Sequence, residues 1–287
     1  MSGRSSHRLA LRVKGLLGWL FLATGLHRRL LRDRAVVLLF HRVGEACPGD
    51  EIGMPVERFT RFCDFLARHF EVVSLAALVE RLRTGGDLSG MAVITFDDGY
   101  LDNHEVAAPI LRKVGLPASF FVSTGYIGTE RVPGWDADQG VVPQWMTWEH
   151  VRDLRRQGFE LGAHTVNHVN LGDADSFRRA HAAPLPEHWN VNVGPGEQAR
   201  EVEDSKAQLE RELGAPVTAF AYPFGRRENL SENSRRFVRE AGFTVCVSAV
   251  GGTVVQGTAP LAINRVPVSQ WIETPAQFLF ELATGRL

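Results

Sequence analysis

Long apolar runs are missing from this chain of 287 residues. An uncharged apolar stretch, Gly15 to Leu26, covers twelve positions, whereas a helix that spans a bilayer needs about 20. Net charge is nearly absent as well: Lys and Arg total 32, Asp and Glu 33, for a formal net charge of −1. Such a chain projects no global field to gather nucleic acid, so none is expected as a partner. Cysteine is scarce. Cys47, Cys63 and Cys246 are odd in number and widely spaced, with no CxxC pair and no disulfide framework. Cys63 and Cys246 sit in apolar stretches and read as small core hydrophobes. Nothing here demands an oxidising compartment, and nothing excludes one. Internal repeats and low-complexity tracts are also lacking. What is present, 44% hydrophobic and 23% charged residues, is the balance of a folded globular protein. The length suits one large α/β domain or two small ones.

The N-terminus stands apart. Arg4, Arg8, Arg12 and Lys14 precede the apolar run, and Arg28, Arg29, Arg32 and Arg34 flank its far side. A basic start and apolar centre suit a signal peptide, but His27-Arg28-Arg29-Leu30-Leu31-Arg32 follows where a small-residue cleavage site belongs. Two readings remain open for residues 1–34. One is a basic amphipathic helix lying on an anionic membrane, touching it through residues 9–34. The other is a leading helix packed on the domain. The expected location is accordingly cytoplasmic or membrane-associated.

From Ala35 to the C-terminus at 287, one catalytic-size domain is expected. Short β-branched and aromatic runs alternate there with helix-like stretches. The strand candidates are Val36–Phe40, Glu71–Ser74, Ala92–Phe96, Ala118–Val122, Glu160–His164, Ala219–Pro223, Val245–Ala249 and Ala262–Val268. Several are continuously apolar, as strands buried on both faces should be. Between them, Val56–His69, Leu75–Leu82, Val106–Val114, Trp148–Gln157, Glu197–Leu213 and Ser234–Ala241 repeat at helical spacing. Glycines stand just past four of these, where helices end. The alternation implies a parallel sheet, closed or open, and seven or eight units predict a (β/α) barrel of the TIM type. Catalytic groups of such barrels sit at the carboxyl ends of the strands. Thr129–Gln144 and Gly172–Gly196 are too long and too rich in proline and glycine for ordinary connections; they are expected to be substrate-facing loops.

Two polar clusters follow apolar strands. In Ile94-Thr95-Phe96-Asp97-Asp98-Gly99-Tyr100, paired carboxylates meet a glycine turn. Adjacent side chains point apart on a regular strand, so the turn must redirect one of them for both to face one site. Taken alone, the motif reads equally as a solvated turn. In Leu161-Gly162-Ala163-His164-Thr165-Val166-Asn167-His168, two imidazoles four positions apart can reach one metal ion. Neutral imidazole with carboxylate suits Zn²⁺, and also Co²⁺, Ni²⁺ or Fe²⁺.

Together, in this order, Thr95-Phe96-Asp97-Asp98-Gly99 and His164-Thr165-Val166-Asn167-His168 resemble the polysaccharide deacetylase family, the NodB-homology domain of carbohydrate esterase family four. The resemblance extends from about Val36 to Val268. It implies an irregular (β/α) barrel that uses a divalent metal to remove N-acetyl, less often O-acetyl, groups from sugars. Residue by residue, it implies Asp98, His164 and His168 as metal ligands, Zn²⁺ first among the ions, and Asp97 as general base for the attacking water. Ala221-Tyr222-Pro223-Phe224-Gly225 resembles the family's Pro-aromatic turn, which implies that the Phe224 backbone N–H helps hold the oxyanion.

The chain departs from the pattern at two places. Many family members brace the catalytic aspartate with an arginine two residues before that proline, where Ala221 stands here; Arg265 is the expected replacement. The family's late Leu-x-His motif is missing, since no histidine follows His188. Val36-Val37-Leu38-Leu39-Phe40-His41-Arg42-Val43 resembles the opening of a branch with permuted strand order, which implies His41 as general acid. His104 is a further candidate for the mouth; His150, His181 and His188 read as solvated or packed. Trp135, Trp145, Trp148 and Trp189 are candidate sugar-stacking platforms. The expected function is metal-dependent hydrolysis of the amide C–N bond of N-acetylated sugars in a polysaccharide, such as an exopolysaccharide, or a glycolipid. The alternatives are an O-acetyl esterase or deformylase with the same site, or a catalytically silent carbohydrate-binding barrel.

Overall fold

A computed structural model describes residues 2–45, 50–172 and 193–287. Eight strands form a nearly closed parallel barrel: β1 (Arg34–Phe40), β2 (Met91–Phe96), β3 (Ser119–Val122), β4 (Glu160–Ala163), β5 (Ala219–Ala221), β6 (Val245–Ser248), β7 (Ile263–Asn264) and β8 (Val266–Pro267). β1 and β2 run in register from Val36↔Ala92 to Phe40↔Phe96. Each later strand pairs in parallel with the one before it as far as β7. β8 returns to β1 through Leu38↔Val266 and Leu39↔Pro267. This is the (β/α) barrel that the strand–helix alternation predicts, irregular as the resemblance implies. The sequence predicts one strand over Ala262–Val268; in the structure it breaks at Arg265, with its first half on β6 and its second on β1. A second departure precedes Ala108–Val114, where Asn103–Ala107 is a π-helical turn. Pro109 brings no N–H to that first turn. The Asn103 side-chain amide donates to the His41 carbonyl at 2.6 Å.

The two-residue period of a strand sorts the side chains. Leu38, Phe40, Ile94, Phe96, Phe120 and Phe220 point outward into the layer beneath the helices. There Phe40 meets Phe59 and Phe62 edge-on. Val37, Val93, Phe121, Ala221 and Val247 fill the bore, joined by Leu75 and Leu78 of helix Leu75–Thr84. Glu160, also facing inward, accepts from the Leu75 and Ala76 N–H groups at 2.9 and 3.1 Å, satisfying orphan donors of that helix. Gly162, next along the same face of β4, is required by crowding: a Cβ there would lie 2.4 Å from the Phe121 ring. Continued one step past the strand ends, this parity aims His41, Asp97 and His164 at the mouth of the bore. Cys63 and Cys246 are buried in the outer layer, and burial pushes each thiol up to about 12.

Helix Ser2–Thr24 lies on the C-terminal helix Pro275–Ala283. Gly18 permits the approach, since a Cβ there would sit 1.8 Å from the Ala276 carbonyl oxygen. Phe21 packs on Phe280 with centroids 5.5 Å apart, and Lys14 pairs with Glu281 at 2.7 Å. Among the described residues, no helix is long and apolar enough to cross a membrane.

Candidate metal centre and cleft

Asp97 is the residue after β2, and its N–H donates to the Phe40 carbonyl at 3.0 Å. Its two carboxylate oxygens accept a fork from Arg265 at 2.7 and 2.6 Å. Arg265 also donates to Thr95 Oγ1 at 3.1 Å and to the Ser248 carbonyl at 3.2 Å. It is fully buried. Arg265 stands two residues after Ile263, which faces the bore, so strand alternation carries this guanidinium inward. Burial alone would push the Asp97 carboxyl up; Arg265 and His164 overcome that and hold it below its ordinary value.

Asp98 would point away from the bore on a regular strand. Its φ of 76° and the 95° of Gly99 swing it back beside Asp97. The sequence marks Gly99 as the turning residue, and the structure divides the work between the two. Among the described residues, four of the five non-glycine residues with positive φ belong to the site: Asp98, Thr165, His168 and Phe224. Such backbone costs about 1–3 kcal/mol per residue and persists only where surrounding contacts enforce it. At the histidine loop the enforcing group is Glu201 of helix Pro195–Leu213. Its carboxylate accepts from the Val166 and Asn167 N–H groups at 2.9 and 2.7 Å and from the Asn167 side chain at 2.6 Å.

One donor atom each from Asp98, His164 and His168 lie within 4.8 Å of one another, and all three residues are buried. Asp98 Oδ1 is 3.4 Å from both imidazole Nε2 atoms. The Ala221 carbonyl, 2.8 Å from His164 Nδ1, can only accept. That fixes the ring proton on Nδ1 and leaves the Nε2 lone pair toward Asp98. Asp98 Oδ1 is buried without a hydrogen-bond partner. A buried oxygen facing two imidazole nitrogens is a set that a divalent cation would satisfy. The residues therefore fit the metal the resemblance implies. Burial depresses His168 to about 3, keeping it neutral.

The centre forms the floor of a cleft of about 630 Å³. His41, Phe224, Trp135, Trp271 and Gln270 are among its walls. Burial lowers the His41 pKa, with Asp98 and Asp97 pulling it back upward. Trp135 lies over His168, centroids 4.4 Å apart. Its indole N–H donates to Tyr100 at 3.2 Å, and Tyr100 donates to Asp136 at 3.0 Å. Arg42 pairs with both Asp136 and Asp50, at 2.9 and 2.7 Å.

The structure thus brings His41, Asp97, Asp98, His164, His168, Phe224 and Arg265 to one barrel mouth. It corrects three lesser expectations. His104 does not line the mouth; it bonds Asp153 at 2.9 Å and stacks on His150. Trp145 is buried against Tyr100, its indole donating to the Arg131 carbonyl, so it offers no platform. Trp148 begins a helix and packs on the outer core. Trp135 does line the cleft. His181, His188, Trp189, Cys47 and most of Gly172–Gly196 lie outside the described residues. Sequence reasoning missed Trp271, 45% exposed at the cleft wall, and it missed Glu201. Neither sits in a motif; an acidic residue on an amphipathic helix carries no signal of a loop it will brace.

A parallel barrel whose strand ends converge on an Asp-His-His cluster, with a second carboxylate beside it, defines the class: a (β/α) barrel with a candidate metal centre at its mouth. The particular family follows. A family profile described as polysaccharide deacetylase matches residues 85–246, and the chain belongs to that family. The Bacillus subtilis protein YxkH is 25% identical over 177 residues, 62% of this chain and 51% of that one. A poly-β-1,6-N-acetyl-D-glucosamine N-deacetylase of Staphylococcus aureus is 21% identical over 179 residues, 61% and 53% of the two chains. The chain thus spans about half the length of these curated relatives. Among solved structures, the Streptococcus pyogenes deacetylase PplD in complex with acetate superposes with a TM-score of 0.67 at 20% identity, covering 88% of this chain and 99% of that one. IcaB from Ammonifex degensii gives 0.66 at 23%, covering 89% and 98%. These likenesses establish the fold.

Proposed function

We propose that this barrel hydrolyses the amide C–N bond of N-acetylated sugars in a polysaccharide or glycolipid, with Asp98, His164 and His168 holding a divalent cation, Zn²⁺ first. The observation that carries the reading is the Asp98–His164–His168 focus with Asp97, a separate carboxylate fixed by Arg265, beside it. A cation held there supplies Lewis acidity to the attacking water and the acetyl carbonyl. Asp97 accepts the proton of that water. Arg265 keeps Asp97 ionised and fixes its plane. The Phe224 amide donates to the oxyanion. His41, on the neighbouring strand end, protonates the departing amine. An amine leaves poorly without a proton, so a donor at this place supports amide over ester cleavage. The name of the staphylococcal relative supports a polymer of N-acetylglucosamine as substrate class.

The test is acetate release from acetylated glucosamine oligomers with Zn²⁺ present, with and without chelator. Release that chelator abolishes, that metal restores, and that Asp97→Asn loses is expected. Metal binding without release from any acetylated glycan would overturn the reading.

A further inference from the structure

The N-terminal helix carries an unpartnered face. Gly18, Phe21 and Lys14 turn toward the C-terminal helix. On the opposite side Leu9, Val13, Leu16 and Leu20 are 63%, 47%, 71% and 55% exposed, at successive spacings of four, three and four. They form one stripe. Trp19, 62% exposed, adjoins it, and Leu26 and Leu30 extend the apolar surface along the next short helix. An apolar strip this continuous on an otherwise ordinary surface marks a contact.

Charge decides what it contacts. Residues 1–32 contain Arg4, Arg8, Arg12, Lys14, Arg28, Arg29 and Arg32 and no carboxylate; the first acidic residue is Asp33. Lys14 is spent on Glu281, but Arg12, Arg28, Arg29 and Arg32 are exposed. A second copy docking on the same strip would set cation against cation. Anionic lipid presents apolar tails beneath negative headgroups, and Trp19 suits the boundary between them. The rest of the chain carries a net negative charge, so attraction to such a surface is confined to this segment. We infer that the outer face of helix Ser2–Thr24 seats the protein on an anionic membrane, lying in its plane, with the close packing at Gly18 fixing the barrel to that surface.

The test uses full-length protein and vesicles of phosphatidylglycerol with phosphatidylcholine, or phosphatidylcholine alone. Sedimentation with the anionic vesicles, weakened by salt and at least about tenfold weaker without phosphatidylglycerol, is expected. The triple variant Leu16→Glu, Trp19→Ser, Leu20→Glu touches exposed positions only. It should lose anionic-vesicle binding about tenfold or more while keeping its circular dichroism and acetate release from soluble oligomers. Equal sedimentation of variant and parent would overturn the inference. So would a parent that ignores the vesicles, or one that dimerises in solution through this face and is made monomeric by the variant.

Discussion

Replacing Arg265 with Met should expose what the buried fork contributes. The guanidinium binds both Asp97 oxygens at 2.7 and 2.6 Å, with both residues almost entirely buried. Met fills similar volume but leaves a buried carboxylate without its partner, a loss that costs about 3–5 kcal/mol. For a domain of this size that is about 10 °C in Tm. The sign with pH follows from the direction in which Asp97 is displaced. In the parent the folded-state pKa is depressed, so the pair stabilises at pH above the unfolded value of about 3.9, and that gain is lost as pH falls through the folded value. In Arg265→Met, burial acts with less opposition and the carboxyl rises. The stability gap between parent and variant is therefore widest at neutral pH and closes toward acid. The same rise keeps the base protonated at higher pH, so the acid limb of kcat/KM moves upward; a tenfold gain in the carboxylate's proton affinity corresponds to about 1.4 kcal/mol. Arg265→Lys retains charge without the fork and should fall between the two. Thermal unfolding from pH 4 to 8 and pH–rate profiles on acetylated oligomers read both effects. A variant with the parent's Tm and an unmoved acid limb would refute the reasoning.

His41→Ala should keep bound metal, measured by elemental analysis, while kcat falls about 10²- to 10⁴-fold; unchanged turnover removes His41 from the chemistry. His168→Ala should lose metal and activity together, and equal metal content in parent and variant would contradict its role as ligand. Glu201→Gln keeps the shape of the brace but weakens its charge-assisted bonds to the histidine loop, so metal affinity should drop about 10- to 100-fold in competition titrations, with kcat of the fully loaded enzyme little changed. Trp271→Ala should raise KM for longer oligomers with kcat nearly intact, and an effect confined to kcat would place Trp271 elsewhere than on the substrate.

How much of this was legible in the chain depends on distance along it. The apolar runs of β1 and β2, the helix Val56–His69 and the order of strands follow from local periodicity, because burial on both faces leaves its mark within a few residues. So do the paired motifs, since Asp97 with Asp98, and His164 with His168, are neighbours in sequence. Their meeting is another matter. Asp98 needs a left-handed backbone to face the same point as Asp97, and that strain is maintained by contacts from β3 and its following loop. Arg265 reaches Asp97 only because closure of the barrel carries the last strands round to β1, beside β2. Trp271 and Glu201 acquire their places from segments packed against the mouth. Sequence alone determined the repeating units, the chemistry on offer and the basic, carboxylate-free N-terminus. Only the tertiary structure decided which side chains share a focus and which helix face is left bare, because barrel closure joins residues that no local pattern connects.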